Sequence, residues 1–153
     1  MKTIIGLVKF LIKRGSELAK LRHIETQEVV PDIYAIRTKN ANFYVIKDIE
    51  EYIAIDAGCN EKMAKNELRK LNINPDKITS VFLTHTDPDH IAALSLFKNA
   101  TIYISCEEIQ MINGSTLRMF GIKNKLYYEY RTLENNEEMH FKHPDIRMVQ
   151  RAL

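Results

Sequence analysis

Two histidines and two aspartates crowd into six residues of this chain: His85, Asp87, Asp89 and His90. The apolar run Val81-Phe82-Leu83 precedes them, short enough for a buried strand, and from Ile91 the pattern turns helical. The reading is a strand that ends in a loop, with imidazoles and carboxylates fanned out on it and a helix leaving from its far end. His85 and Asp87 are two residues apart, so on extended backbone both side chains point the same way. Pro88 withholds a backbone donor and biases Asp87 away from helical angles. Asp89 and His90 sit where the helix begins, and Asp89 can cap it or turn its carboxylate to a metal. Imidazole and carboxylate donors suit zinc, manganese and iron. A catalytic zinc takes about three protein ligands and leaves a position for water, so the four candidates could serve one site or halves of two. A capped helix preceded by polar loop residues is the reading without chemistry.

The elements on either side must hold this loop in place. Residues 25–30, 33–38, 42–47 and 52–57 are rich in Val, Ile and Tyr and are separated by short polar turns, which predicts an antiparallel meander. Gly58 then ends the fourth strand with a sharp turn. Asp56, at that strand end, is either a support for the metal loop or a turn acceptor. Asn60 predicts the cap of a helix running to about Leu71, with Met63, Ala64, Glu67, Leu68 and Leu71 as its inner stripe. Residues 78–83 read as the central strand, 91–97 as a short helix and 101–104 as a further strand. Ser105-Cys106-Glu107-Glu108 reads as a capping box that opens a helix to about Ile112. A meander followed by strand–helix–strand fits a mixed α/β sandwich.

Residues 114–131 are irregular and hold Arg118, Lys123, Lys125, Tyr127, Tyr128, Tyr130 and Arg131. They read as a solvated loop first, because nothing repeats at regular spacing, and second as a basic, aromatic surface suited to an anionic substrate or nucleic acid. Met111, Met119 and Phe120 are core filler or pocket lining. Residues 134–138 read as a hairpin turn. His140 and His143 have a ligand-like spacing, but Pro144 favours an edge turn.

The phrase Leu83-Thr84-His85-x-Asp87-x-Asp89-His90 resembles the signature of the metallo-β-lactamase superfamily, Thr-His-x-His-x-Asp-His. Asn42-Phe43-Tyr44-Val45-Ile46 is similar to that family's Asn-x-Tyr-Leu-Ile strand, and Ile53-Ala54-Ile55-Asp56-Ala57-Gly58 to its Ile-Asp-Thr-Gly strand end. Ile73-Asn74-Pro75-Asp76-Lys77-Ile78 is similar to the usual lead-in to the metal strand. The resemblance implies an α/β fold of the αββα sandwich type, of which this chain carries the N-terminal half. It implies a metal-dependent hydrolase that uses a metal-activated water on an ester, thioester, lactam or phosphodiester in a small-molecule substrate.

Carried over by position, His85, Asp89 and His90 match family ligands, and Asp87 stands where the family has a second His. The resemblance implies one or two zinc ions, and the harder Asp87 carboxylate leaves iron or manganese possible. It gives Asp89 the task of orienting or deprotonating the water, and Asp56 that of supporting the loop from behind. The family's second half supplies a Gly-His-Thr histidine, a bridging Asp and a final His. Residues 146–153 resemble the strand just before that Gly-His motif, so the domain is expected to be truncated before its C-terminal ligands. The rival expectation is a non-catalytic fragment or interaction module with an incomplete metal site and an exposed sheet edge, prone to form homo-oligomers.

Length and composition bound these readings. The 153 residues suffice for one domain, and 45% apolar with 27% charged residues is ordinary for a soluble globular chain. A formal charge of +2 predicts no nucleic-acid partner, but the charge is uneven. Residues 1–22 hold Lys2, Lys9, Lys13, Arg14, Lys20 and Arg22 against Glu17 alone, a net of +5, which leaves −3 for the remainder. The chain therefore divides into a basic amphipathic helix or arm over 1–24 and a domain over 25–153. Ile4, Leu7, Val8, Leu11 and Leu18 fall at helical spacing, suited to a membrane surface or to the chain's own domain. Lys9 interrupts any signal-peptide centre, no run is long enough to span a bilayer, and Cys59 and Cys106 form no disulfide framework. The expected location is cytoplasmic, with peripheral membrane contact through residues 1–22.

Overall fold

In a computed structural model, which describes residues 24–39, 41–116 and 124–150, neighbouring apolar residues of the inner strands face opposite ways. Val45, Ala54, Val81 and Ile102 enter one buried cluster, while Ile46, Ile53, Phe82 and Tyr103, each the next or preceding residue, enter another. The alternation follows from the two-residue period of a strand. It requires a sheet covered on both faces, which is why these strands read as near-continuous apolar runs.

Among the described residues the sheet has seven strands in sequence order. The first four, β1 (Gln27–Val30), β2 (Ile33–Arg37), β3 (Asn42–Asp48) and β4 (Glu51–Ile55), pair antiparallel as the expected meander. From β4 the pairing turns parallel through β5 (Ile78–Phe82), β6 (Thr101–Ser105) and β7 (Tyr130–Leu133). Each parallel step needs a crossover connection. The first contains α1 (Glu61–Lys70), where Asn60 Oδ1 accepts from Met63 N at 2.8 Å and Ala64 and Leu68 are buried. The second contains α2 (Pro88–Ile91) and a single 3-10 turn, Leu94–Leu96. The third begins with the 3-10 turn Cys106–Glu108 and α3 (Ile109–Asn113).

The other face of the sheet is covered by a small antiparallel pair, β8 (Glu138–His140) and β9 (Arg147–Val149). Phe141, from the loop between them, packs edge-on against Phe82 at 5.8 Å between centroids, and Phe82 in turn stacks on Tyr103 at 4.7 Å. The buried carboxylate of Asp48 ties this pair down by accepting from His143 N at 2.6 Å and Lys142 N at 3.2 Å. A mixed α/β fold with one large sheet and few helices is thus what the sequence forms.

Three local expectations are corrected. Residues 134–138 do not turn a hairpin: β7 belongs to the large sheet and β8 pairs with β9, so the turn carries the chain between sheets. The helix expected over 91–97 begins earlier, at Pro88, and breaks after Ile91, because proline is well suited to a first helical turn. The capping box at Ser105 does not form, because Glu108 is drawn into a different set of bonds described below. The arm expected at the N-terminus, up to residue 23, and the membrane contact expected of it lie outside the described residues, as do Arg118, Met119, Phe120 and Lys123. Among the described residues no helix is long and apolar enough to cross a membrane.

Gly58 makes the turn after β4 at φ +79°, and a Cβ there would lie 2.6 Å from Thr38 Cγ2 and 3.1 Å from Phe43 Cδ1. The left-handed backbone costs an L-residue about 1–2 kcal/mol and overpacking about 1–3 more. Gly58→Ala is therefore expected to destabilise the fold by about 2–5 kcal/mol. Urea denaturation checks this, and a loss below about 1 kcal/mol would show that the turn yields easily.

Candidate metal centre

The chemically capable side chains all lie just beyond the C-terminal ends of neighbouring parallel strands. Asp56 follows β4, residues 84–90 follow β5 and Glu108 follows β6. This end of an open parallel sheet is the usual ligand-binding edge of α/β folds. Backbone bonds weld the strand ends together: Asp56 N donates to Phe82 O at 2.9 Å, Ala57 N to His90 O at 2.7 Å and Leu83 N to Tyr103 O at 2.9 Å. Asp56 itself adopts a left-handed backbone, φ +64°, which Asp tolerates better than most residues.

Asp56 is the hub. Its Oδ1 accepts from Thr84 N, and its Oδ2 accepts from Thr84 Oγ1 and from His90 Nδ1, each at 2.8 Å. A carboxylate only accepts, so His90 carries its proton on Nδ1 and keeps its lone pair on Nε2. The same logic reaches His85. Thr84 has given its one hydroxyl hydrogen to Asp56, so its Oγ1 must accept from His85 Nδ1, 2.9 Å away. Both imidazoles therefore carry their lone pair on Nε2, the atom a metal would use. Their rings lie 3.9 Å apart between centroids.

His85, Asp89 and His90 each place one potential ligand atom within 4.8 Å of the other two. This is the metal-capable group among the described residues. Asp89 Oδ2 lies 3.7 Å from His90 Nε2, and Asp87 Oδ2 lies 3.3 Å from His85 Nε2. The support is buried and the donors are open: side-chain exposure rises from 7% at Asp56 through 19% at His90 to 37% at Asp89. A site shaped in this way can admit a ligand from solvent without loosening its own scaffold. Burial alone would lower the His90 pKa, but the Asp56 hydrogen bond and the charges of Asp56, Asp89 and Asp87 outweigh it and raise the value.

Pro88 sets the loop's course as expected, holding Asp87 extended at φ −69° and ψ 148°, where it precedes α2 without a side-chain cap bond. His140 and His143 take no part. His140 sits near Glu138, and His143 Nδ1 accepts from Asp145 N at 3.2 Å. Cys59 and Cys106 are free thiols, both half-buried. Sequence reasoning missed a second support. Thr86, fully buried, donates from N and Oγ1 to Glu108 Oε1 at 2.7 and 2.6 Å, and Asn124 Nδ2 donates to Thr86 Oγ1 at 3.0 Å and Asp87 Oδ1 at 2.8 Å. The available signal for Glu108 was its place just past a strand parallel to the metal strand.

The profile of the family described as the metallo-beta-lactamase superfamily matches residues 36–108, the stretch that contains Asp56 and the whole metal loop. Those residues belong to the metallo-beta-lactamase superfamily. No curated protein matches the chain. Among solved structures, the subclass B3 metallo-beta-lactamase of Bradyrhizobium japonicum is 18% identical with a TM-score of 0.66, over 79% of this chain and 49% of that one. A metallo-beta-lactamase of Cronobacter sakazakii with a HARLDQ motif is 16% identical with a TM-score of 0.64, over 81% of this chain and 51% of that one. A B3 enzyme described as having an active-site glutamic acid is 14% identical with a TM-score of 0.66, over 84% of this chain and 53% of that one. The chain thus spans about half the length of the solved structures it matches, and its fold is a partial metallo-β-lactamase fold.

Proposed function

We propose that this chain contributes the metal centre of a metal-dependent hydrolase acting on small molecules. The observation that carries the reading is the pair of imidazoles whose Nδ1 protons are fixed by Thr84 and Asp56, so that two Nε2 atoms and the Asp89 carboxylate converge. The donor set fits a divalent ion: two neutral nitrogens and a carboxylate oxygen, with the proton of each imidazole held on the side away from the ion. His85, Asp89 and His90 would hold it, and Asp87, whose Oδ2 lies 3.3 Å from His85 Nε2, would add a second carboxylate. Zinc suits this set, and a second carboxylate makes iron or manganese acceptable as well. The relative with an active-site glutamic acid offers a precedent for a carboxylate in the active site of this fold.

When bound, such an ion supplies Lewis acidity and lowers the pKa of water toward neutrality. The protein's part is orientation and proton handling. Asp56 and Thr84 fix the imidazoles. Asp89, the most open of the carboxylates, orients the attacking water or takes its proton. An ester, thioester, lactam or phosphodiester would suit that chemistry.

Plasma mass spectrometry on the purified chain, beside a His85→Ala/His90→Ala variant, tests the reading. At least one equivalent of zinc, iron or manganese in the wild type and essentially none in the variant is the expected result. Metal-free wild type, or equal metal in both, would sink it.

A further inference from the structure

The bonds behind the metal loop have a fixed direction. Glu108 Oε1 accepts both the Thr86 N–H and the Thr86 hydroxyl hydrogen, so Thr86 Oγ1 is left with lone pairs only. It therefore accepts from Asn124, and that requirement sets the Asn124 amide with its nitrogen, not its oxygen, toward the loop. The same nitrogen's second hydrogen reaches Asp87 Oδ1 at 2.8 Å. With Oδ1 held, the carboxylate turns Oδ2 toward His85 Nε2, 3.3 Å away. Glu108, Thr86 and Asn124 are all buried, so the relay is shielded from competing water.

We propose that Asn124 is a positioning residue for the metal centre: it fixes which oxygen of Asp87 faces the imidazoles, in an orientation set by Glu108 through Thr86. The inference rests on the reading of Asp87 as a metal donor. The terminal torsion of a carboxylate is a soft one, and the Asn124 bond sets it before a metal arrives. Asn124 also acts where the Asp56 bonds do not reach, since Asp56 holds His85 through Thr84 and holds His90 directly.

The experiment is a double-mutant cycle on metal affinity, read by competition with a chromophoric chelator for Zn2+ and by the visible absorption of bound Co2+. Asn124→Leu keeps the approximate volume and removes both donors. Zinc affinity is expected to fall about 10–100-fold, with a shift in the Co2+ bands that reports altered coordination. In an Asp87→Ala background the same Asn124 substitution should change affinity less than about threefold, because there is no carboxylate left to position. Asn124→Ala repeats the cycle without bulk, so a leucine variant that fails to fold does not end the test. If the Asn124 substitution costs as much in the Asp87→Ala background as in the wild type, or leaves zinc affinity and Co2+ spectrum unchanged, the positioning role is overturned while the metal centre stands. If the wild-type chain binds neither ion, the metal centre falls and takes this role with it.

Discussion

Asp56→Asn is expected to lower metal affinity by about 10–100-fold, although no proposed ligand is altered. The substitution keeps size and shape but turns one acceptor oxygen into an NH2 group. Thr84 Oγ1 and His90 Nδ1 both direct hydrogens at Oδ2, and an amide nitrogen there would meet them donor to donor. The cheapest relief is for His90 to move its proton from Nδ1 to Nε2, which removes the lone pair from the atom that faces the site. A buried donor left unsatisfied costs about 1–3 kcal/mol, so relief of this kind is strongly favoured.

The metal-free chain offers an independent reading of the same change. Burial opposes the charged form of His90, but Asp56 is the largest influence raising its pKa, with Asp89 and Asp87 adding to it. A folded pKa above the unfolded value means that the imidazolium stabilises the fold fully below about pH 6.5. That contribution is lost as pH rises through the raised value. Asp56→Asn removes most of it, so the stability gap between wild type and variant should be wider at about pH 5.5 than at about pH 8. Urea denaturation of both proteins in chelator measures the gap. A gap independent of pH, with zinc affinity unchanged, would mean that Asp56 is only a turn acceptor.

Phe43→Ala should cost about 3–5 kcal/mol of folding stability and lower Tm by roughly 10 °C for a chain of this length. Phe43 is fully buried on the helix-covered face, where its ring lies 6.1 Å from that of Phe97. It also touches the turn that leads out of the site, because its Cδ1 is 3.1 Å from where a Gly58 side chain would begin. The cavity would therefore open beneath residues 56–58, and metal affinity should fall along with stability. Phe43→Leu should recover more than half of the loss. A calorimetric Tm within about 2 °C of wild type would show that the core collapses around the missing ring.

The legible part of this protein was local. His85, Asp87, Asp89 and His90 share one loop, and a strand end needs only a few residues to declare itself, so the gathering of His85, Asp89 and His90 could be read from spacing. The meander was legible for the same reason: antiparallel neighbours are joined by short turns rich in polar residues. Asp56 could be suspected from its strand end, but not its three bonds, which reach 28 and 34 residues along the chain. Glu108 was misread because its sequence context, Ser-x-x-Glu, is a good local signal that a tertiary bond overrides: a buried Thr86 with two donors to satisfy outweighs the Ser105 cap. Asn124 stood in an irregular stretch with no periodicity, and its partners Thr86 and Asp87 lie 38 and 37 residues away. The sheet-crossing turn at 134–137 was invisible because a turn looks the same whether its strands pair with one another or not.

The placement of Asn124 also has a consequence for synthesis. Chains grow at about 5–20 residues per second, so a ribosome would make Asn124 some ~2–7 s after Asp87, from which it is separated by 37 positions. By then β4 and β5, with Asp56 between them and the loop, have already been made. The two imidazoles can be set by Asp56 and Thr84 while Asp87 still lacks its brace. The residues that set the two imidazoles thus leave the ribosome before the residue that braces Asp87.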